Sequence, residues 1–404
     1  MKKTQPFCII TRVILYSLLV SFTALAQQTI NSSITHDNIQ RTYILYIPAS
    51  YVAGSPVPLV LSYHGLGQTN NGYMLQGDFR SIADTAGFIL AYPQGTIFNG
   101  NTHWNVGGFT IGSTADDIGF SDALIDSISA EYSIDPLRVY STGFSNGGYL
   151  SFLLACQIGE RIAAIASVGG SMTPQTYNNC SPEHPTPVLQ IHGTTDNIVP
   201  YNGANWSRSI VDALQYWVVY NNNTPTPVTT QIPDIDPSDG STVEHIVYNG
   251  GDNDINTEHF KVTGGGHQWP GSAVNNQSGN LNRDIDASAE IWTFLSRYDI
   301  NGLITVSGIN DPTDAFPAAF QLSQNYPNPF NPKTTIEFSI SGSSHVRLTI
   351  FNIAGEKVAS LVDESLPAGS HSADWIAGQT AAGVYLYRLE VDGISLSKKL
   401  VLLK

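Results

Sequence analysis

At 404 residues, with 42% hydrophobic side chains, the chain is long enough for two or three domains and a sizeable core. Its 33 acidic residues outnumber 18 basic ones, a formal charge of −15 that argues against nucleic acid or an anionic membrane surface as partner. Beyond the first 26 residues no run is apolar for long enough to form a transmembrane segment.

Residues 1–26 read as a signal peptide. Lys2, Lys3 and Arg12 precede an apolar run from Val13 that closes on Ala24-Leu25-Ala26, giving a charged n-region, a short h-region and an A-x-A cleavage site. Cys8 leaves with the leader. Cys156 and Cys180 remain as an even pair in an oxidising compartment and read as a disulfide, with free buried thiols as the alternative.

Residues 27–300 alternate strands with helices. QRTYILYI, from Gln40, suits an early antiparallel strand at a sheet edge. VPLVLSYHG, from Val57, is a nearly continuous apolar run, as expected of a central strand covered on both faces. It empties into a polar, glycine-rich loop over residues 66–72. A helix over residues 78–86 leads to a second buried strand, GFILAYPQG, from Gly87. Residues 96–114, with His103 and Trp104, are too irregular to assign. Asp116 and Asp117 then open an apolar-periodic helix, where acids favour the macrodipole; that reading is preferred to a metal site.

Residues 138–156, RVYSTGFSNGGYLSFLLAC, read as a strand, a glycine-crowded turn and an apolar helix. Strands follow at IAAIASVGG, from Ile162, and PVLQIHGTTD, from Pro187. The helix SIVDALQYWVVY, from Ser209, precedes a polar, proline-rich loop to about Thr242. VEHIVYNGG and EHFKVTGGG supply two more strands, and residues 286–298 a last helix. The alternation predicts an α/β fold with a mostly parallel central sheet, flanked by helices through right-handed crossovers.

The composition changes after Asp299. Residues 301–318 read as a linker. Residues 319–404 alternate in short runs such as HVRLTIFNI and GVYLYRLEV between Gly, Asp and Asn turns, which predicts a small all-β, Ig-like sandwich.

The chemistry centres on Gly143-Phe144-Ser145-Asn146-Gly147, a G-x-S-x-G nucleophile elbow in strand–turn–helix context. The reversal strains the serine backbone and leaves no room for a Cβ on its neighbours. An activated serine needs a base and an orienting acid, following it in the order acid then histidine. Asp196 sits at the carboxyl end of a later strand, and His267 in a glycine-rich loop before the last helix. Turn and solvated-loop roles are the bland alternatives. His192, inside a buried strand, reads as a hydrogen-bonded core residue, and His64 as a prop for the loop that follows it.

Neither H-E-x-x-H nor a paired Cys/His set appears, so no metal is expected. Asp234, Asp236 and Asp239 resemble a calcium loop only loosely and read as solvated loop. No Walker or dinucleotide fingerprint follows a strand, so no cofactor is expected.

HG with its polar loop, DDIGFSDALID, VYSTGFSNGG, LACQIGERIAAIASVGGSM, PVLQIHGTTDNIVPY and GGGHQWPG together resemble the secreted polyhydroxybutyrate-depolymerase-type esterases, which include the feruloyl and acetylxylan esterases of carbohydrate esterase family 1. The resemblance implies an α/β-hydrolase fold, a Ser145–His267–Asp196 triad, and oxyanion donors from the backbone N–H groups of Leu66 and Asn146. It also implies a Cys156–Cys180 pairing and a substrate cleft shaped by Trp269. Relatives often carry cysteine where Leu66 stands, but only its N–H is used. Trp104 and Trp269 are expected to offer flat faces for a phenolic acyl group or a sugar ring, with burial in the core as the alternative for each.

YPNPFNP, the GVYLYRLE strand and the SKKLVLLK end resemble the C-terminal sorting domain of type IX secretion cargo, which implies delivery outside the cell or to its surface. A stabilising or sugar-binding module is the alternative. The overall expectation is a secreted serine ester hydrolase acting on plant cell-wall polysaccharide, most simply a feruloyl or acetylxylan esterase. A polyester depolymerase is the alternative, and a non-catalytic surface carbohydrate-binding protein a remote one.

Overall fold

The computed structural model describes residues 27–304, except 276, and residues 320–402, except 324, 326, 327, 329, 341, 353–356, 379, 392 and 393. The leader and nearly all of the linker therefore lie outside the described residues. The chain divides into two compact units, at Ile304 and Thr305.

The first unit is built on a ten-stranded sheet. In chain order its elements begin β1 (Gln28–His36), β2 (Ile39–Ile47), β3 (Val57–Tyr63), α1 (Asn70–Gln76), α2 (Arg80–Ala86) and β4 (Ile89–Pro93). A small hairpin, β5 (Thr96–Phe98) and β6 (Asn101–His103), precedes α3 (Asp117–Glu131), β7 (Ile134–Phe144), α4 (Asn146–Gln157), β8 (Ala164–Val168) and α5 (Pro174–Asn179). Then come β9 (Val188–Gly193), α6 (Ile210–Tyr220), β10 (Val228–Gln231), β11 (Thr242–Tyr248), β12 (Thr257–Thr263) and α7 (Ala287–Leu295).

The sheet order is β1-β2-β4-β3-β7-β8-β9-β12-β11-β10. All pairings from β4 through β12 are parallel, while β1-β2, β2-β4, β12-β11 and β11-β10 are antiparallel. The parallel centre and the antiparallel first strand match expectation. Two differences lie at the margins. The true edge is β1, whose polar NSSITH sequence carries no apolar run, and β10 pairs within what reads as open loop. The polar loop after β3 also folds into α1, capped by Thr69, whose hydroxyl accepts from Gly72 N–H at 3.1 Å.

The central strands β4, β8 and β9 are buried at every residue, which is why their sequences are apolar without alternation. Along β2 and β3 the side chains alternate between two cores. Leu45, Leu59 and Leu61 join Phe120 of α3, Leu150 of α4 and Trp217 of α6 on one face. Ile44 and Val60 join Tyr73 of α1, Ala83 of α2 and Ile291 of α7 on the other. Fully burying one such leucine contributes roughly 1.5–3 kcal/mol.

Asp116 caps α3 through Gly119 N–H, as the acidic pair predicts. Asp117 does something further. It forms a buried ion pair with Arg41 of β2 at 2.6 Å and accepts from Asn105 N–H at 2.7 Å. The disulfide Cys156–Cys180 joins the end of α4 to the residue after α5. A short hairpin, β13 (Tyr298–Asp299) with β14 (Gly302–Leu303), ends this unit and takes up residues read as linker.

The second unit is all-β. A three-stranded antiparallel sheet joins β15 (Phe320–Leu322), β16 (Lys333–Ile340) and β19 (Gly369–Ile376). A four-stranded one runs β18 (Lys357–Leu366), β17 (Ser344–Asn352), β20 (Gly383–Val391) and β21 (Ile394–Leu402). Ile336 and Phe338 from one sheet share a core with Leu348, Ile350, Tyr387 and Leu389 from the other.

Candidate active site

The carboxyl ends of β3, β7, β8, β9 and β12 gather along one edge of the parallel centre, and the expected catalytic side chains follow them there. Ser145 stands between β7 and α4 with φ 53° and ψ −117°, a left-handed conformation that is strained for a side-chain-bearing residue. Its flanking glycines are sterically required. A Cβ on Gly147 would lie 2.1 Å from the Tyr63 carbonyl oxygen, and one on Gly143 would meet the Gly147 backbone at 2.4 Å. Asn146 is the first residue of α4, so its N–H is among the amides that a helix start leaves without an internal partner.

Asp196 and His267 are brought together. The His267 Nδ1–H donates to Asp196 Oδ2 at 2.6 Å, with both side chains buried, so Nε2 is left as the acceptor. The other carboxylate oxygen accepts from Ile198 and Val199 N–H, each at 2.8 Å. The sequence around the acid explains its placement. Thr194 Oγ1 accepts from Gly264 N–H, and the Thr195 hydroxyl donates to the Gly264 and Gly265 carbonyls. The two threonines therefore clamp the histidine loop to the acid loop. His267 also packs on Phe144, ring centroids 4.7 Å apart.

His192 contributes more than core packing. Gln190 Nε2 donates to its Nδ1 at 3.1 Å, so its Nε2–H is the donor to the Val199 carbonyl at 2.9 Å and faces Asp196 Oδ2 at 3.3 Å. Burial alone would raise the Asp196 pKa. The hydrogen bonds from His192 and His267 outweigh it and hold the carboxyl well below the usual carboxylate range. Sequence reasoning overlooked this contact, although the i,i+4 spacing of His192 and Asp196 across a strand end was visible.

Leu66 lies in a loop after β3 whose neighbours are pinned. Gly65 N–H donates to Gln68 Oε1 at 2.7 Å and Gly67 N–H to the Thr102 carbonyl at 2.8 Å. His64 props it: Nδ1–H donates to the Gly65 carbonyl at 2.7 Å and Nε2 accepts from Gly95 N–H at 3.0 Å. Burial pushes the His64 pKa down to about 4, keeping the ring neutral.

Ser145, His267, Gly65 and Leu66 line a single cleft of about 640 Å³, together with Phe109, Ile198 and Trp206. The two tryptophans expected there are elsewhere. Trp104 is fully buried: its Nε1–H donates to the His64 carbonyl at 2.8 Å, and Asn146 grips its backbone at both N–H and carbonyl. Trp269 is 1% exposed, donates to Ser288 Oγ at 3.2 Å, and meets Tyr73 and Phe79 edge-on. Neither reaches the cleft. A large indole with a partner for its N–H is favoured inside the core, where Trp104 anchors the loop behind the serine. Phe109 and Trp206, with Phe144 beside the serine, supply the cleft's aromatic surface instead; Phe109 and Trp206 come from segments without periodicity, and nothing local in the sequence marks them.

Among the described residues, His36, Asp37 and Asp116 bring three potential metal ligands together, but His36 already pairs with Asp116 at 2.9 Å and Asp116 caps α3. In the loop that resembles a calcium site, Asp239 accepts from Ser241 and from Arg283 N–H, and Asp236 from Ser238.

A parallel-centred sheet between two helical layers, with a serine on a strand-to-helix elbow, defines an α/β-hydrolase. Residues 111–224 match the phospholipase/carboxylesterase family, and residues 324–403 match the secretion system C-terminal sorting domain. A bifunctional acetylxylan esterase/xylanase of Neocallimastix patriciarum is 28% identical over 284 residues, covering 70% of this chain and 37% of that protein. Feruloyl esterase B of Piromyces equi is 31% identical over 165 residues, 40% of this chain and 30% of the relative. A probable feruloyl esterase C of Aspergillus terreus is 30% identical over 201 residues, 48% of this chain and 71% of the relative. The chain belongs to the feruloyl and acetylxylan esterase family of the α/β-hydrolases. It spans about a third of the length of the first two relatives.

Proposed function

We propose that residues 27–300 form a serine ester hydrolase acting through an acyl-enzyme on the esters of plant cell-wall polysaccharide, with hydroxycinnamoyl (feruloyl) esters preferred to acetyl esters. The observation that carries this reading is the 2.6 Å His267–Asp196 bond, made by a histidine that shares one cleft with the strained elbow serine.

Ser145 Oγ attacks the ester carbonyl while His267 Nε2 takes its proton. Asp196 fixes the ring's tautomer and stabilises the imidazolium. The developing oxyanion is received by the Leu66 and Asn146 N–H groups, the second at a helix start. His267 then protonates the departing alcohol oxygen. Water, deprotonated by the same nitrogen, releases the acid and restores Ser145.

Residues 1–26 act as the signal peptide and residues 319–404 as the address read by type IX secretion machinery, which releases the enzyme or leaves it at the cell surface. The sorting-domain match over residues 324–403 supports this role.

The test is hydrolysis of methyl ferulate, feruloylated arabinoxylan and acetylxylan by wild type and Ser145→Ala. Wild type should release hydroxycinnamate, and the variant should lose on the order of 10⁴-fold or more in turnover while remaining folded. Retained activity in Ser145→Ala would refute the triad. Indifference to ferulate combined with depolymerisation of polyhydroxybutyrate would move the substrate to polyester.

A further inference from the structure

Beside Ser145 the cleft carries a wall whose construction no catalytic step requires. Phe109 and Trp206 stand edge-to-face, ring centroids 5.3 Å apart at 82°. Behind them Phe109 meets Tyr149 edge-on at 5.2 Å. Tyr149 is buried one turn into α4, its N–H donating to the Ser145 carbonyl at 3.1 Å. Its hydroxyl is hydrogen-bonded to Ser207, the neighbour of Trp206. The wall is thus tied to the helix that begins at the nucleophile.

Two more features hold it in place. Ala204 and Ser207 exchange backbone hydrogen bonds of 2.9 and 3.1 Å, a tight turn that presents Trp206. Gly107 and Gly108 both have positive φ, 71° and 53°, and a Cβ on Gly108 would lie 2.7 Å from the Trp206 carbonyl oxygen. Only glycine lets the Phe109 loop approach the Trp206 loop so closely.

The surroundings of the wall are apolar. Leu66 and Ile198 are about half exposed in the cleft, and among the described residues none that lines it is Asp, Glu, Lys or Arg. The polar side chains nearby are already engaged: Gln68 bonds Gly65 and Gln76, and Ser278 donates to Asn197. A sugar ring stacked here would need free donors and acceptors around its hydroxyls; a flat aryl group would not. The volume of about 640 Å³ falls in the range of clefts that hold drug-sized ligands, far above what an acetyl group fills.

We propose that Phe109 and Trp206 form the acyl subsite and select a planar aryl acyl group, an assignment that rests on the ester-hydrolase reading above. The test compares kcat/KM for methyl ferulate and for methyl acetate, neither of which contains a sugar, in wild type, Trp206→Ala, Phe109→Ala and Trp206→Phe. The ferulate-to-acetate ratio should fall about ten- to hundredfold in each alanine variant, mostly through KM for ferulate. Trp206→Phe keeps a flat face and should restore most of the ratio, which guards against general loosening of the fold. An unchanged ratio in both alanine variants overturns the subsite. So does a loss confined to feruloylated arabinoxylan with methyl ferulate unaffected, since the wall would then face the polysaccharide. A folded wild type that hydrolyses neither methyl ester refutes the hydrolase reading and the subsite with it.

Discussion

Exchanging Asp196 for asparagine removes a charge without changing shape, and the geometry dictates the consequence. The carboxylate faces four donors: Ile198 and Val199 N–H on one oxygen, the His267 and His192 ring N–H groups on the other. An amide has one acceptor oxygen. If that oxygen stays on the two backbone donors, the NH₂ group faces His267 Nδ1. The ring must then accept at Nδ1 and carry its proton on Nε2, where it cannot take the serine proton. If the amide turns over, two buried backbone N–H groups lose their acceptor at about 1–3 kcal/mol each, so the first orientation wins. The wrong tautomer should cost on the order of 10⁴-fold in kcat, as expected when the acid of such a triad becomes an amide. Turnover of methyl ferulate at saturation, alongside a thermal melt to establish that the fold persists, measures it. Activity within tenfold of wild type would refute the reasoning, and so would a larger loss in Asp236→Asn or Asp239→Asn.

Acidification should weaken the fold well before the carboxylates protonate. Burial lowers the pKa of His64 to about 4 and of His259 to about 3, whereas an unfolded histidine titrates near 6.5. Between those values the unfolded chain binds more protons, so stability falls with pH, by roughly 2 kcal/mol per histidine from pH 7 to 5. Denaturant titrations at the two pH values should show it, and His64→Gln should flatten the slope by about one proton; a flat profile in wild type would contradict the burial argument. Asp117→Ala strands the buried Arg41 guanidinium and frees Asn105, so the unfolding free energy should drop by about 3–5 kcal/mol. A loss below 1 kcal/mol would mean that water or another group compensates Arg41.

Much of the fold was legible because its signals are local and strong. Continuous apolar runs mark β3, β4, β8 and β9, and α6 and α7 begin where read, directly after Ser209 and Asp286, which the structure shows to be their caps. The elbow, the acid and the histidine were legible because each chemistry demands a residue type at a particular strand end. The strands β1 and β10 escaped because they lie at the margins of the sheet, where exposure permits polar sequences. The substrate wall escaped for a different reason. Trp104 and Trp269 sit beside glycines and histidine, as cleft residues do, and only long-range packing against Tyr63, Tyr73 and Phe79 makes them core. Phe109 and Trp206 meet across nearly a hundred residues, by way of two left-handed glycines and a tight turn that no periodicity announces.

The central claim is that Ser145 is the nucleophile, and covalent trapping tests it most directly. Incubation of the folded protein with a fluorophosphonate, followed by intact-mass measurement and peptide mapping, should show a single adduct on Ser145 that forms in step with loss of ester hydrolysis. His267→Ala should slow its formation by orders of magnitude, because the serine then lacks its base. An adduct on any other residue accompanied by loss of activity, or full inhibition without modification of Ser145, would contradict the account.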